Sequence, residues 1–178
     1  ERGETMKLRH LFFACSGVFV MMFSLLLLVV IVFSDEEDGG SGGNLIYGGV
    51  SVSQEVLAHK PMLEKYAREY GIEEYLNVLL AIIQVESGGT LEDVMQSSES
   101  LGLPPNSLST EESIKQGCKY FSELLAAAET KSCDLNSVIQ SYNYGGGFLD
   151  YVAGRGKKYT FELAESFARD KSGGKKVT

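Results

Sequence analysis

The fold is decided by residues 72–86, which read IEEYLNVLLAIIQVE. Apolar side chains take most positions from Leu76 to Val85, so they surround the whole circumference of a helix instead of forming one stripe. A helix of this kind is buried on nearly all sides. We therefore predict that residues 72–86 form the centre of the core, and that Gly88-Gly89 ends this helix just after Glu86.

The chain before this helix predicts a second, interrupted one. Ser51 and Gln54 have the spacing of a capping box, so we expect a helix to begin there. Pro61 is expected to break or restart that helix, and Gly71 is expected to end it.

The chain after the central helix predicts a long loop followed by further helices. Residues 88–105 are polar and lack periodicity, and a loop of that length in a compact domain is usually functional or disordered. Ser109 with Glu112 predicts a capped helix, residues 135–142 predict a shorter one, and Thr160 predicts the start of the last. Since no strand-like alternation appears, we expect an all-α domain over residues 50–170.

A single transmembrane helix is predicted ahead of this domain. Residues 11–33 form a run of 23 positions without a charge, about 34 Å of helix at ~1.5 Å per residue, which is enough to span a bilayer. Lys7 and Arg9 precede this run and acidic residues 35–38 follow it. Residues 1–10 are therefore expected in the cytoplasm and the domain outside the cell, anchored in the cell membrane. The alternative is a cleaved signal peptide, whose apolar region would be shorter.

Two further segments have the composition of linkers. Residues 34–49 are acidic and rich in glycine, and residues 171–178 combine glycine with lysine. Segments of this kind do not pack a core, so we expect a flexible spacer before the domain and a linker-like tail after it. The segment between them has the size of one domain.

The charge balance limits the partners. The chain has 178 residues, with 16 Lys and Arg against 24 Asp and Glu and a net charge of −8. An acidic chain without a basic cluster is not expected to bind nucleic acid, whose phosphates require positive charge. Three cysteines without a CxxC pair and two histidines do not complete a zinc site, so we expect no metal and no cofactor. Pairing of Cys118 with Cys133 stays open at this stage.

Glu86 is the strongest candidate for chemistry. It lies at the last turn of the apolar helix, where desolvation and the negative end of the helix dipole both disfavour its charged form. Its pKa is therefore expected to be raised, and a carboxyl that keeps its proton near neutral pH can act as the acid in glycosidic cleavage. The alternative is an exposed glutamate at a frayed helix end.

Asp93 is the candidate second carboxyl. On a continuous helix it would lie ~10.5 Å beyond Glu86 along the axis, which is too far for two groups that act together. Gly88-Gly89 permit a tight reversal that can return Asp93 across a cleft from Glu86. There it could stabilise an oxocarbenium-like transition state, orient a water molecule or attack as a nucleophile. The alternative is a solvated loop residue.

The sequence Tyr142-Asn143-Tyr144 stands before a run of glycines at the end of a predicted helix. Two phenols and an amide offer ring stacking and hydrogen bonds, which are the contacts that bind saccharides. The alternative is a pair of core tyrosines that pack under the turn.

Together these motifs resemble the lysozyme-like superfamily of transglycosylases and goose-type lysozymes. Their order is Glu86-Ser87 at a helix end, then Met95-Gln96, then Tyr142-Asn143 with Gly145. The stretches DVMQSSES at 93–100 and QSYNYGGG at 140–147 resemble the two signatures of CwlT-like lysozyme domains. Such domains belong to bifunctional cell-wall hydrolases of Gram-positive integrative and conjugative elements. The resemblance covers about residues 50–167.

The resemblance implies a lysozyme-like helical fold and an N-acetylmuramidase that cuts the β-1,4 bond between N-acetylmuramic acid and N-acetylglucosamine in peptidoglycan. It gives Glu86 the position of the catalytic acid and Asp93 that of the second acidic residue. The residues expected along the glycan groove are Gln96, Ser98, Tyr142 and Asn143, with Tyr144 beside them. The partners expected are peptidoglycan glycan strands, the membrane through the N-terminal helix, and proteins of a conjugation machinery.

Other functions stay open. A lytic transglycosylase would cut the same bond but capture the glycosyl centre with the sugar's own 6-hydroxyl, and a second acidic residue favours water by analogy only. A non-catalytic domain would bind peptidoglycan as a component of a DNA-transfer machine. An interaction module organised by the membrane helix has only a loose set of small residues in its favour.

Overall fold

The computed structural model describes residues 45–47 and 50–172. Within them the chain forms a two-stranded hairpin, seven α-helices and two short 3-10 helices. The strands are β1 (Leu45–Tyr47) and β2 (Val50–Val52). The α-helices are α1 (Gln54–Ala58), α2 (Lys60–Glu69), α3 (Leu76–Glu86), α4 (Thr110–Lys131), α5 (Leu135–Tyr144), α6 (Gly147–Ala153) and α7 (Phe161–Lys171). The 3-10 helices are Glu73–Tyr75 and Ser97–Leu101.

Several predictions for the ends of the chain lie outside the described residues. They are the membrane helix over 11–33 with residues 1–10 before it, most of the linker over 34–49, and the end of the tail after residue 172. Among the helices that the structure describes, none is long and apolar enough to cross a bilayer.

The central helix of the core is α3, as predicted. Residues 78–83 are all buried, and Leu79, Leu80 and Ile83 have no exposed surface. The helices α1 and α2 and the strand β2 pack around it. Since full burial of one such side chain contributes roughly 1.5–3 kcal/mol, α3 holds the N-terminal half of the domain together.

The all-α prediction is wrong at the start of the domain. The strands β1 and β2 pair antiparallel, with Ile46 opposite Ser51. Ser51 therefore lies in a strand, and Ser53 caps α1 instead, because its hydroxyl accepts a hydrogen bond from the Val56 N–H at 3.3 Å. Strands of three residues are too short to show an alternating pattern. The sequence Gly48-Gly49 between them is nevertheless typical of a two-residue hairpin loop.

Most of the predicted helix ends are confirmed. Pro61 lies in the first turn of α2, where its missing N–H is not needed, and Gly71 follows that helix with a φ of +67°. Ser109 and Glu112 form the capping box that begins α4. The hydroxyl of Thr160 caps α7.

The helix α4 joins two parts of the domain. It packs against α2 in the main core and against α5 and α6 on its other side. A smaller buried cluster forms between α6 and α7 from Phe148, Val152, Ala164 and Phe167. The ring of Tyr144 at the end of α5 stacks on Phe167 with 5.7 Å between centroids, which connects this cluster to the rest.

The two cysteines of the domain are free thiols. Cys118 is buried in α4 and Cys133 is half-buried before α5. Burial raises the pKa of Cys118 to about 12, so its thiol is an unreactive core group. The disulfide that the sequence left open is therefore not formed in this structure.

Shortening a side chain of α3 tests its place in the core. Leu80→Ala is expected to lower the free energy of unfolding by about 2–5 kcal/mol, because it removes buried methyl groups and leaves a cavity. The control is Leu91→Ala, whose side chain is 42% exposed and whose loss is expected to change stability by less than about 0.5 kcal/mol. Urea unfolding followed by circular dichroism measures both variants. Equal effects would contradict the central place of α3.

Candidate active site

Glu86 is the last residue of α3, and the chain reverses directly after it. The Ser87 hydroxyl donates a hydrogen bond to the Val94 carbonyl at 2.7 Å and accepts one from the Gly89 N–H at 3.0 Å. Gly88 and Gly89 have φ values of +61° and +79°, a region that favours glycine. The reversal expected of this glycine pair is therefore present, and it returns the loop to the end of α3.

Gly89 also meets a steric requirement. A Cβ at this position would lie 2.7 Å from backbone atoms of Glu55 and Val56 in α1, closer than side-chain atoms approach a backbone. The Gly89 carbonyl oxygen lies 2.9 Å from His59 Nε2. The turn after Glu86 is thus held tightly against α1.

Burial raises the pKa of Glu86 to about 7. Withdrawal of the carboxyl from water is the largest cause, and the negative charges of Glu99 and then Asp93 raise the pKa further. A carboxyl with this pKa keeps its proton in about half of the molecules at neutral pH, so it can protonate a leaving oxygen. The sequence predicted the direction and the main cause, but it did not single out Glu99.

Asp93 is enclosed in the structure. Its side chain has no exposed surface. Its carboxylate accepts hydrogen bonds from Ser113 Oγ at 2.6 Å, the Ser97 N–H at 3.0 Å and the Ser98 N–H at 3.2 Å. The two N–H groups are the first of the 3-10 helix Ser97–Leu101, so the Asp93 carboxylate replaces the partners that they lack at the start of that helix. Its negative charge raises the pKa of Glu86, although its own oxygens do not face solvent.

Ser113 of α4 anchors this loop. Its hydroxyl donates to Asp93 and accepts from the Met95 N–H at 3.0 Å, and its carbonyl accepts from Ser97 Oγ at 2.9 Å. The Tyr142 hydroxyl of α5 donates to the Met95 carbonyl at 3.1 Å. The loop after Glu86 is therefore fixed to two helices that lie far from it in the sequence.

Gly117 permits the close contact between α4 and this loop. A Cβ there would lie 2.5 Å from Met95 Sδ and 2.9 Å from Tyr142 Oη, so a larger residue would displace both groups. The sequence did not single out Ser113 or Gly117. The signal that could have found them is the presence of two small residues one turn apart on the apolar face of α4.

Gln96 connects the two ends of the loop. Its φ of +47° lies in the left-handed region. Its Nε2 donates hydrogen bonds to the Asp93 carbonyl and to Asn106 Oδ1, both at 2.8 Å. These two bonds orient the amide of Gln96, which is half-buried and keeps part of its surface open to a ligand.

The other residues predicted to bind glycan differ in exposure. Asn143 and Tyr144 are half-buried at the end of α5. Ser98 and Tyr142 are buried, with 0% and 9% of their surfaces exposed. The structure thus brings the predicted set to one loop and one helix end, but it encloses two of its members.

The chemistry that this site offers is that of carboxyl groups. Glu86 can give up a proton near neutral pH, and two further acidic residues act on it electrostatically. Within residues 45–47 and 50–172, no three His, Cys, Asp or Glu side chains come together to hold a metal ion. Such a site suits protonation of a leaving oxygen and stabilisation of positive charge on a sugar.

Known proteins match this chain over the same region. A family model described as Lysozyme-like matches residues 53–177. The bifunctional muramidase/DL-endopeptidase CwlT of Bacillus subtilis is 44% identical over 124 residues, which is 69% of this chain and 37% of that protein. The uncharacterized membrane protein YocA of the same species is 38% identical over 118 residues, which is 66% of this chain and 52% of that protein.

A solved structure is also similar. It is the crystal structure of a protein from Staphylococcus aureus subsp. aureus Mu50, described as similar to a lipoprotein of the NLP/P60 family. The TM-score is 0.70 at 74% sequence identity, and the match covers 71% of this chain and 43% of that chain. The chain thus spans between 37% and 52% of the length of these three relatives.

Enlarging Gly117 tests the contact between α4 and the loop. Gly117→Ala is expected to lower the free energy of unfolding by about 1–3 kcal/mol, because the added methyl group overlaps Met95 and Tyr142. The control is Gly147→Ala, since nothing lies within 4 Å of a Cβ added there. Thermal unfolding measures both variants. An unchanged Gly117→Ala protein would show that Met95 moves aside without cost.

The raised pKa of Glu86 predicts a pH-dependent loss of stability. Its pKa is 4.5 in the unfolded chain and about 7 in the fold, so the folded protein binds this proton more tightly. The associated stability is present below pH 4.5 and is lost as the pH rises through 7. Glu86→Gln is therefore expected to stabilise the protein by up to about 3 kcal/mol more at pH 8 than at pH 4. Urea unfolding at both pH values measures the difference, and equal effects would contradict the shift.

Proposed function

Because the chain belongs to the lysozyme-like family, we propose that it is an N-acetylmuramidase that cuts the β-1,4 bond between N-acetylmuramic acid and N-acetylglucosamine in peptidoglycan. The observation that carries this proposal is the half-buried carboxyl of Glu86 at the end of α3, whose pKa of about 7 suits a general acid. The Bacillus subtilis relative, whose name includes muramidase, supports cleavage of the same class of bond.

In the proposed reaction, protonated Glu86 gives its proton to the glycosidic oxygen as the bond to the anomeric carbon breaks. The proton is needed because an alkoxide leaves poorly. Positive charge that develops on the sugar ring is stabilised by the acidic groups around Glu86. Water then completes hydrolysis at the anomeric carbon.

We propose that Asp93 contributes to this reaction through the loop. Its three hydrogen bonds hold the chain between Val94 and Ser98 against α4. Its charge also helps to keep Glu86 protonated. Both contributions are possible for a carboxylate without exposed surface.

Glycan binding is assigned to the residues of the predicted groove that keep exposed surface. Gln96 and Asn143 each offer an amide, and Tyr144, whose ring already stacks on Phe167, contributes at the end of α5 through its phenol hydroxyl. Ser98 and Tyr142 would support them from inside, since Tyr142 fixes Met95 beside Gln96.

A lytic transglycosylase is the second candidate. The observation in its favour is that Glu86 by itself supplies a carboxyl whose pKa burial raises to about 7, and such an enzyme needs only one acid. An acidic neighbour of Glu86 that is exposed and can act on water, Glu99, favours hydrolysis over this alternative.

The location is also proposed. The uncharged run over residues 11–33 supports a single membrane anchor with the domain outside the cell. One relative is called a membrane protein, which agrees with this. In that position the domain would remodel the cell wall, and we propose that conjugative transfer and its machinery are the setting.

Removing the acid tests the proposed activity. Glu86→Gln in the full chain is expected to slow the clearing of a suspension of purified Gram-positive walls by at least about 100-fold, because glutamine cannot donate the proton. Binding to insoluble peptidoglycan is expected to persist. The control is Glu129→Gln, an exposed position on α4. If the unchanged protein binds walls but releases no soluble glycan fragments of either kind, with reducing or with 1,6-anhydro ends, the non-catalytic alternative is right.

The products distinguish the two enzymes. Hydrolysis is expected to leave reducing N-acetylmuramic acid ends, because water forms the new bond to the anomeric carbon. A transglycosylase would leave 1,6-anhydro ends, which are lighter by one water molecule. Mass spectrometry of the released fragments separates them, and anhydro ends would contradict the muramidase.

A further inference from the structure

Two acidic residues besides Glu86 belong to this site, and they differ in access to solvent. Asp93 has no exposed surface and already accepts three hydrogen bonds. Glu99 is exposed and lies on the 3-10 helix Ser97–Leu101. A carboxylate that contacts water or sugar must have free surface. In this structure Glu99 meets that requirement and Asp93 does not.

A short connection brings Glu99 to the end of α3. Ser87, the residue after Glu86, donates a hydrogen bond to the Val94 carbonyl at 2.7 Å. The N–H of the residue before Glu99 donates to the Asp93 carboxylate at 3.2 Å. Because Asp93 and Val94 are adjacent in the chain, these two bonds hold the backbone next to Glu99 and the backbone next to Glu86 against the same segment. The negative charge of Glu99 raises the pKa of Glu86, which agrees with this proximity.

The 3-10 helix that carries Glu99 is hydrogen-bonded to α4 on both sides of Glu99. On one side of it, Ser97 Oγ donates to a backbone carbonyl of α4 at 2.9 Å. On the other side, Gln116 Nε2 of α4 donates to Ser100 Oγ at 2.9 Å. The buried hydroxyl of Ser98 has no hydrogen-bond partner among the described residues. The hydrogen bonds of Ser97 and Ser100 therefore fix the backbone around Glu99.

We propose that Glu99 is the second carboxylate of the active site and receives a proton from the attacking water, whereas Asp93 is a positioning residue that holds the helix carrying Glu99. This inference rests on the proposed muramidase function. The exposed residue, Glu99, contacts the water molecule. The enclosed residue, Asp93, holds the loop in place.

Glu86 gives its proton to the glycosidic oxygen, which also takes the electron pair of the broken bond to the anomeric carbon. The oxygen of a water molecule forms the new bond to that carbon, and Glu99 accepts the proton that this water loses. The site then holds ionised Glu86 and protonated Glu99, and transfer of one proton through solvent restores the starting state.

Glu99→Gln in the full chain tests this assignment against Glu92→Gln, an exposed acid of the same loop. Glu99→Gln is expected to lower kcat at least about 100-fold without changing Tm. The basic limb of its remaining pH profile is expected to move to lower pH, because a negative charge near Glu86 is gone. Glu92→Gln is expected to change neither. Asp93→Asn is expected to lower Tm, because its amide nitrogen cannot accept the hydrogen bonds that the carboxylate does.

Azide provides a readout that a structural role would not affect. In Glu99→Ala, added sodium azide is expected to restore turnover, because azide can attack the anomeric carbon without losing a proton. The expected product is a glycosyl azide, which mass spectrometry detects. Glu86→Ala is expected to show no such rescue for a substrate whose leaving group needs the proton.

The outcomes separate this inference from the proposed function. If the unchanged protein and Glu86→Gln are equally inactive on walls, the muramidase function fails. If the unchanged protein is active and Glu99→Gln matches it in kcat and pH profile, only the role of Glu99 is overturned. A lowered Tm in Glu99→Gln, or loss of activity without azide rescue in Glu99→Ala, also overturns it.

Discussion

The buried carboxylate of Asp93 is the constraint on which the site depends. A carboxylate withdrawn from water is stable only when hydrogen-bond donors replace the water it has lost. Here the donors are the Ser113 hydroxyl on α4 and two N–H groups of the loop itself. The hydrogen bonds from these donors hold the loop against α4 and start the 3-10 helix. The missing side chain of Gly117 is what allows this approach.

The carboxyl group of Glu86 has surroundings opposite to those of the Asp93 carboxylate. Its carboxyl lies at the end of an apolar helix, where burial and two acidic neighbours raise its pKa to about 7. This position costs stability at neutral pH, and the buried leucines and isoleucines of α3 offset that cost. One acidic residue is thus enclosed with partners and serves the structure, while the other retains a proton and can serve chemistry.

The elements of the fold could largely be predicted because their signals are local. The apolar circumference of α3, the capping box at Ser109 and the proline in the first turn of α2 each act within a few residues. The hairpin of β1 and β2 escaped prediction because three residues per strand carry too little pattern. The expected raised pKa of Glu86 also followed from a local feature, its place at the end of α3.

The sequence by itself determined the helices, their caps, the reversal at Gly88-Gly89 and the candidacy of Glu86, since each depends on neighbours along the chain. Only the tertiary structure decided that Asp93 is enclosed and that Glu99 is exposed near Glu86. Those outcomes depend on Ser113, Gly117 and Tyr142, which lie 20 to 49 residues beyond Asp93 in the chain and reach it only when α4 and α5 pack. Burial and electrostatic proximity arise when surfaces pack together, so the spacing of residues along the chain does not reveal them.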